Sequence, residues 1–190
     1  MDMQLNFGKW EGTELTLAYS FRFTETPGPT QEADCIRSAV NAQHREGYDN
    51  ISLLSKETYK PGSKAAMHCS FEGLGCPELI LVEKPERCKD GAVRYGACFE
   101  VVLYRGGINV WRHDMDGEHR CSWHKRLGLE YPVAENTIHE LTVETREKEL
   151  IFTLNGQKTT LRTEDLFSSF FWGITMCEGV ARVYDLTIEA

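Results

Sequence analysis

Long apolar runs and export signals are both missing from this sequence. No stretch approaches the ~18 apolar residues of a membrane-spanning helix. The opening residues, MDMQLNFGKWEGTEL, contain neither the basic segment nor the apolar core of a signal peptide. Positive charge is also scarce, since 21 Lys and Arg face 29 Asp and Glu, for a net charge of -8. The missing export signal leads us to expect a cytoplasmic protein. Because an acidic surface repels phosphate groups, we expect no nucleic-acid partner and no membrane partner.

Recognisable catalytic and metal-binding motifs are absent from the sequence as well. It has no G-x-S-x-G nucleophile turn, no glycine-rich phosphate loop and no C-x-x-C pair. Its 7 cysteines are odd in number and irregularly spaced, which argues against a disulfide framework. A chain without an export signal keeps such cysteines as thiols, and they then behave as small buried hydrophobic residues. We therefore predict no metal site and no cofactor.

The sequence does contain a series of short apolar segments typical of β-strands. Hydrophobic residues make up 41% of the 190 residues, which is enough for one sizeable core. The regular helices that a parallel β/α fold places between its strands are missing. Asn155-Gly156, between two strand segments, is a strong signal for a type I′ hairpin. We predict a single all-β sandwich domain over 1–190, with minor helical turns within 35–44 and 163–167.

The C-terminal third of the chain carries a resemblance to a known fold family. The segments HELTVETREKELIFTLNGQKTTL and FFWGITMCEGVARVYDLTIEA resemble the closing strands of the concanavalin A-like lectin and glucanase superfamily. The resemblance covers 94–190 well and 5–23 loosely, as a pattern of strands and turns. It implies a two-sheet antiparallel jelly-roll sandwich, and it implies that a carbohydrate would bind on the concave sheet.

A hairpin over 99–113 contains the best strand segments of the chain. We place its turn at Gly106-Gly107, because a two-residue I′ turn needs positive φ at both central residues. In this register Val102 faces Trp111, and Glu100 faces His113. Alternation then points aliphatic and aromatic side chains inward, namely Phe99, Val101, Leu103, Ile108 and Val110. A three-residue loop over 105–107 would shift the pairing by one residue and place Trp111 in the core.

The outward face of this hairpin is the candidate ligand-binding surface. It combines aromatic rings with amide, imidazole and carboxylate groups, a mixture suited to stacking on a sugar ring and binding its hydroxyls. Trp123 lies in a segment over 114–137 that we predict to be an irregular loop bordering the same cleft. The alternative is that these side chains pack beneath a loop. The predicted ligand-binding residues are Glu100, Tyr104, Asn109, Trp111, His113 and Trp123.

The segment that follows the hairpin contains the weak catalytic candidates Asp114, Asp116 and Glu118. This triplet is similar to the E-x-D-x-E strand of laminarinase-type glycoside hydrolases, where the outer carboxylates act as nucleophile and acid/base. The first carboxylate is Asp rather than Glu, and Gly117 interrupts the strand pattern. By alternation Asp114 would also face away from the ligand side. A solvated acidic turn is the alternative interpretation, and no twelve-residue calcium loop follows.

The same segment contains side chains of the types that bind zinc, namely His113, His119, Cys121 and His124. Their spacing matches no common zinc site, so we do not predict one there.

Three functions are compatible with the sequence. The first is a carbohydrate- or polyol-binding domain with its ligand on the concave sheet. The second is a glycoside hydrolase or another sugar-modifying enzyme on the same scaffold, which requires two carboxylates about 5–10 Å apart in one cleft. The third is a protein-interaction domain without a small-molecule ligand, which requires a flat apolar patch and favours a homodimer.

Overall fold

The computed structural model describes residues 2–23, 27–38 and 50–190. Almost all of its regular structure is β-strand, as predicted. In chain order the strands are β1 (Met3–Asn6), β2 (Thr16–Ser20), β3 (Thr30–Gln31), β4 (Ile36–Arg37), β5 (Asn50–Leu54), β6 (Lys64–Glu72), β7 (Cys76–Val82), β8 (Glu86–Arg87), β9 (Val93–Tyr95), β10 (Cys98–Tyr104), β11 (Gly107–Met115), β12 (Cys121–Glu130), β13 (His139–Arg146), β14 (Glu149–Leu154), β15 (Gln157–Arg162), β16 (Phe171–Cys177) and β17 (Val180–Glu189).

Helical structure is minor and does not occur where the sequence predicts it. A 3-10 helix spans Phe7–Lys9, and the Asn6 side chain caps it by accepting a hydrogen bond from the Gly8 amide at 2.9 Å. Residues 163–167 form a turn without a helix. The other predicted helical turn falls partly on β4, and its residues 39–44 lie outside the described part of the chain. Within the described ranges, no helix is long and apolar enough to cross a membrane.

The strands form two sheets that face each other. In the first sheet the order is β15-β14-β13-β6-β17-β4-β3, with β1 also paired to β17. In the second sheet the order is β12-β11-β10-β7-β16-β5-β2-β9-β8. Neighbouring strands are antiparallel except for the short pairing of β2 with β9. The predicted two-sheet antiparallel sandwich is therefore confirmed.

The main core lies between the inner faces of the two sheets. The first sheet contributes Phe71 and Phe152, and the second contributes Phe99 and Trp172, all of them essentially inaccessible to solvent. The indole Nε1 of Trp172 donates a hydrogen bond to the Ser63 hydroxyl at 3.0 Å, so the largest core side chain buries no unpaired donor. This inner packing fixes which face of each strand is free to form a site.

The two predicted hairpins are both present. Asn155 and Gly156 have φ values of 47° and 84° between β14 and β15, which confirms the predicted turn. The turn between β10 and β11 differs from its prediction, because Arg105 and Gly106 occupy it and Tyr104 pairs with Gly107. Gly107 begins β11 instead.

The predicted register of the β10–β11 hairpin is therefore wrong by two residues. Glu100 pairs with Trp111 rather than with His113, and Cys98 pairs with His113. Because a shift of two residues preserves alternation, the predicted faces are correct nonetheless. The five residues predicted to point inward belong to the main core, and Trp111 is only half-buried on the other face. The one-residue shift that would bury Trp111 in the core does not occur.

The prediction of an irregular loop over 114–137 is also wrong. Residues Cys121–Glu130 form β12, which pairs with β11 at the edge of the second sheet. Its side chains are mostly exposed, and Lys125 interrupts the alternation of Trp123, Leu127 and Leu129 that would have indicated a strand. A register shift near Val110 and Trp111 sets His113 directly opposite Trp123. That pairing moves Trp123 from a loop to the sheet face that carries Trp111.

Candidate ligand-binding cleft

A cleft of about 190 Å³ opens on the outer face of the second sheet, over β7, β10 and β11. All of the predicted ligand-binding residues line it, namely Glu100, Tyr104, Asn109, Trp111, His113 and Trp123. The structure also brings in residues that the sequence did not assign to the site, among them Arg22, Asn50, Glu78 and Glu178. The predicted residues are thus neighbours in one cleft, while their role in binding stays a prediction.

Aromatic side chains form one wall of the cleft. Trp111 is half-buried, and the Lys125 ammonium lies 5.9 Å from the centre of its ring system. Trp123 is 46% exposed, and the Arg22 guanidinium lies 3.3 Å from the centre of its ring system. A cation at that distance is attracted by the indole face. One face of Trp123 is therefore occupied already, which leaves Trp111 as the better stacking surface for a ligand.

A buried acid–base pair forms the floor beside Trp111. His113 Nε2 lies 2.8 Å from Glu100 Oε2, and the two residues are only 2% and 6% exposed. The Phe23 ring approaches His113 edge-on, with 6.4 Å between ring centroids. Because a buried polar group needs a partner to offset its lost hydration, each member of this pair stabilises the burial of the other.

Glu78 is the most consequential cleft residue that the sequence analysis missed. It lies on β7 directly opposite Val102, so its side chain shares the outer face with Glu100, two residues along β10. Burial raises the pKa of Glu78 well above its usual range, and the carboxylates of Glu100 and Glu178 raise it further. One signal could have found it: a lone acidic residue within the apolar run CPELILV must be paired or functional when that run is buried.

Two polar atoms of the cleft lack a hydrogen-bond partner among the described residues. Glu78 Oε2 and Asn109 Oδ1 are both buried and unpaired. Native structures contain few such atoms, because each forfeits about 1–3 kcal/mol of hydration. Both residues line the cleft, so a ligand with hydroxyl groups could satisfy both.

The polar groups next to Glu78 are, by contrast, fully paired. Ser52 Oγ lies 2.7 Å from the Tyr95 hydroxyl, 2.8 Å from Thr175 Oγ1 and 3.0 Å from Asn50 Oδ1. Thr175 is the residue directly opposite Glu78 on β16. This network fixes the end of the cleft at Asn50. The unpaired atoms are therefore a local feature of the cleft rather than a general defect of this sheet face.

The cysteines of this region are buried thiols, as predicted. Cys98 is fully buried and does not line the cleft; burial raises its pKa well above the usual range, and Glu100 raises it further. Cys76 and Cys177 face each other across β7 and β16 and line the cleft. Burial also raises the pKa of both of these thiols, so neither is an activated nucleophile.

The acidic triplet after the hairpin lies apart from the cleft. Asp114 is held by Arg112 at 2.8 Å, on the side of β11 opposite to His113. Asp116 accepts hydrogen bonds from the backbone amides of Glu118 and Arg120 and from the Arg120 guanidinium, which lowers the pKa of Asp116. The three carboxylates thus lie at or beside a surface turn, where they pair with neighbouring arginines or with amides of the turn. None of them lines the cleft.

The zinc-type residues of the same segment do not converge either. His119 stacks on Phe21 with ring centroids 4.3 Å apart, and His124 is exposed on β12. In the parts of the chain that the structure describes, one group of potential metal ligands converges, and it consists of Cys98, Glu100 and His113. Its members come from paired positions on two strands, so no spacing rule along the sequence could have identified it.

Comparison with known proteins supports the fold. No protein-family model matches the chain, and no curated protein matches it. The carbohydrate binding module CBM66 from Bacillus subtilis superposes with a TM-score of 0.64 at 11% identity, covering 94% of this chain and 96% of the module. A putative beta-glucanase from Mycobacterium abscessus superposes with a TM-score of 0.60 at 13% identity, covering 98% of this chain and 99% of the glucanase. A chain from work on endo-acting O-glycanases of the human gut microbiota superposes with a TM-score of 0.66 at 12% identity, covering 99% of this chain and 98% of the other.

These neighbours include a carbohydrate-binding module and glycoside-cleaving enzymes, and at such low identity the likeness establishes architecture alone. The sheet order, the hairpins and the superpositions agree with the resemblance seen in the sequence. The chain has the concanavalin A-like jelly-roll fold.

Proposed function

We propose that this domain binds a carbohydrate or a similar polyol in the cleft over β7, β10 and β11. The observation that carries the proposal is the pair of buried, unpaired oxygens, Glu78 Oε2 and Asn109 Oδ1, beside the half-buried ring of Trp111. A sugar presents hydroxyl donors at its edge, which can hydrogen-bond to the two unpaired oxygens. It also presents an apolar C–H face, which can stack on the ring of Trp111.

The size of the cleft limits the ligand. Pockets for drug-sized molecules are about 300–1,000 Å³, whereas this cleft is about 190 Å³. It therefore suits one sugar unit held against Trp111, with any further units extending past Tyr104 or Trp123 into solvent. The carbohydrate-binding module and the glycanases with the same fold are consistent with this ligand class.

A thermal-shift panel of mono- and disaccharides, followed by calorimetry on the ligands that stabilise the protein, tests the proposal. Trp111→Ala should weaken binding at least about 30-fold, since truncating a central aromatic anchor typically costs 2 kcal/mol or more. The matched control is Asp116→Asn, which alters the acidic turn outside the cleft and should bind like the wild type. Unchanged affinity in Trp111→Ala would overturn the proposal. Absence of any carbohydrate binding by the wild type would favour the protein-interaction alternative.

Glycoside hydrolysis is the second candidate, favoured by Glu78 and Glu100, two of the three residues with carboxyl groups that line the cleft. Glu78 and Glu100 lie on adjacent strands at diagonal positions, and such neighbours are typically about 7–8 Å apart, with their Cβ atoms somewhat closer. Such a pair can supply the acid and the carboxylate that glycosidic cleavage requires. An aryl-glycoside panel should then show turnover that Glu78→Gln abolishes without loss of sugar binding. Binding without any turnover by the wild type would exclude this candidate.

A further inference from the structure

The register of the β10–β11 hairpin brings three potential metal ligands to one point. Cys98 and Glu100 are alternate residues on β10 and face the same side, and His113 lies directly opposite Cys98 on β11. All three are buried, at 0%, 6% and 2% exposure. Their thiol, carboxylate and imidazole groups thus meet at the floor of the cleft, on two hydrogen-bonded strands that hold them in place.

The distances within this group suit a small divalent ion. The ligand atoms all lie within 4.8 Å of one another, with 2.8 Å from His113 Nε2 to Glu100 Oε2 and 3.9 Å from Cys98 Sγ to Glu100 Oε1. Zinc bonds of about 2.0–2.3 Å in a tetrahedral arrangement separate ligand atoms by about 3.3–3.8 Å. An ion would therefore require only that the imidazole and carboxylate move apart slightly and that the thiol move closer.

We propose that Cys98, Glu100 and His113 form a binding site for a zinc-type divalent cation, with a fourth coordination position open to the cleft. Sulfur and imidazole nitrogen donors select a borderline transition-metal ion over Mg²⁺ or Ca²⁺, which prefer oxygen ligands. Three protein ligands with one open position is the arrangement of zinc sites that bind water or substrate. Glu100 and His113 line the cleft, whereas Cys98 is fully buried and does not, so the open position would lie on the side of Glu100 and His113 that faces the cleft.

The charge of the cleft supports a cation at this point. Three carboxyl groups line the cleft, those of Glu78, Glu100 and Glu178, against one guanidinium, that of Arg22. Glu78 and Glu100 are buried, whereas Glu178 is exposed. Buried carboxylates are costly without compensating positive charge. A divalent ion bound to Glu100 would supply that charge. Glu100 would then be a metal ligand, so it could not also act as a free carboxylate in glycoside hydrolysis.

Titration of the chelator-treated, metal-free full chain with Co²⁺ tests the site, because a bond from thiolate to Co²⁺ gives a charge-transfer absorption in the near ultraviolet. We expect one equivalent of Co²⁺ to produce this band and one equivalent of Zn²⁺ to remove it. Cys98→Ser should abolish the band and weaken Zn²⁺ binding at least about 10-fold, since even changes in partners of metal ligands typically cost 10–100-fold. Cys121→Ser is the matched control and should behave like the wild type.

The wild-type titration alone can overturn the proposal, so the test does not require that any variant fold. Absence of the charge-transfer band, or a band that persists in Cys98→Ser, would exclude the site. His113→Gln keeps the thiol and should also weaken Zn²⁺ binding at least about 10-fold; unchanged affinity would remove His113 from the ligand set. Trp111→Ala should retain the Co²⁺ band while losing sugar affinity, so failure of the metal site and failure of the proposed function are distinguishable.

Discussion

Replacing Glu78 by Gln should stabilise the protein at neutral pH and leave it nearly unchanged in mild acid. The Glu78 side chain is 3% exposed, its Oε2 has no hydrogen-bond partner among the described residues, and the carboxylates of Glu100 and Glu178 are nearby. Gln has almost the same shape and no charge. The substitution therefore removes the ionisation of one buried carboxyl group while leaving the packing of β7 intact.

The size and sign of the effect follow from the linkage between protonation and folding. Burial raises the folded-state pKa of Glu78 well above its ordinary value of 4.5, so the folded protein retains a proton that the unfolded chain releases above that pH. The free energy of unfolding of the wild type should therefore fall as the pH rises from about 4.5 towards the folded-state pKa. At pH 7 the penalty is at most about 3.5 kcal/mol, because each pH unit above the unfolded-state pKa contributes at most about 1.4 kcal/mol.

Urea denaturation of the wild type and Glu78→Gln between pH 5 and pH 8, in the presence of a chelator, measures this difference. The advantage of the variant should grow with pH up to the folded-state pKa of Glu78 and should not exceed about 3.5 kcal/mol at pH 7. Glu147→Gln, at an exposed position, is the control and should stay within about 0.5 kcal/mol of the wild type throughout. A pH-independent difference, or a variant that is less stable at every pH, would show that folded Glu78 is ionised and paired, and would refute the reasoning.

Three further substitutions test the structure around the cleft by urea denaturation. Gly107→Ala should cost about 2 kcal/mol, because φ at Gly107 is 134° and a Cβ atom would clash with the Leu129 carbonyl oxygen; a neutral effect would contradict the close approach of β12 to Gly107. His113→Ala in metal-free protein should cost about 3 kcal/mol by leaving the buried Glu100 carboxylate unpaired, whereas a small loss would show that Glu100 finds another partner. Trp172→Phe should cost about 1–3 kcal/mol by removing the indole hydrogen bond inside the core, and equal stability would show that this bond is dispensable.

The faces of the β10–β11 hairpin could be predicted from the sequence, whereas its register could not. Alternation separates Val101 from Trp111 whichever two-residue turn closes the hairpin. Gly106-Gly107 and Arg105-Gly106 are both plausible turns by local chemistry. The choice depends on β12, because the Leu129 carbonyl approaches Gly107 so closely that no side chain fits there. That contact is a tertiary one, and no property of the hairpin sequence encodes it.

The residues missed at the site were missed for related reasons. β12 is an edge strand, and in its sequence CSWHKRLGLE the charged run around Lys125 interrupts an alternation of apolar residues that the sequence analysis overlooked. The convergence of Cys98 with His113 appears only in the observed register, since the predicted one set Glu100 opposite His113. Glu78 could have been flagged as a lone charge in a buried strand, although its proximity to Glu100 depends on the order of β7 and β10 in the sheet.

The four tryptophans provide the most direct test of the proposed binding site. Two-dimensional NMR of their indole N–H groups, assigned by single substitutions, can follow a titration with whichever carbohydrate stabilises the protein in the thermal-shift panel. Trp111 and Trp123 line the cleft, whereas Trp172 is fully buried in the core and Trp10 packs against its margin. We expect saturable shifts of the Trp111 and Trp123 resonances, with those of Trp10 and Trp172 unchanged. Carbohydrate binding that leaves the Trp111 and Trp123 resonances in place would contradict this expectation.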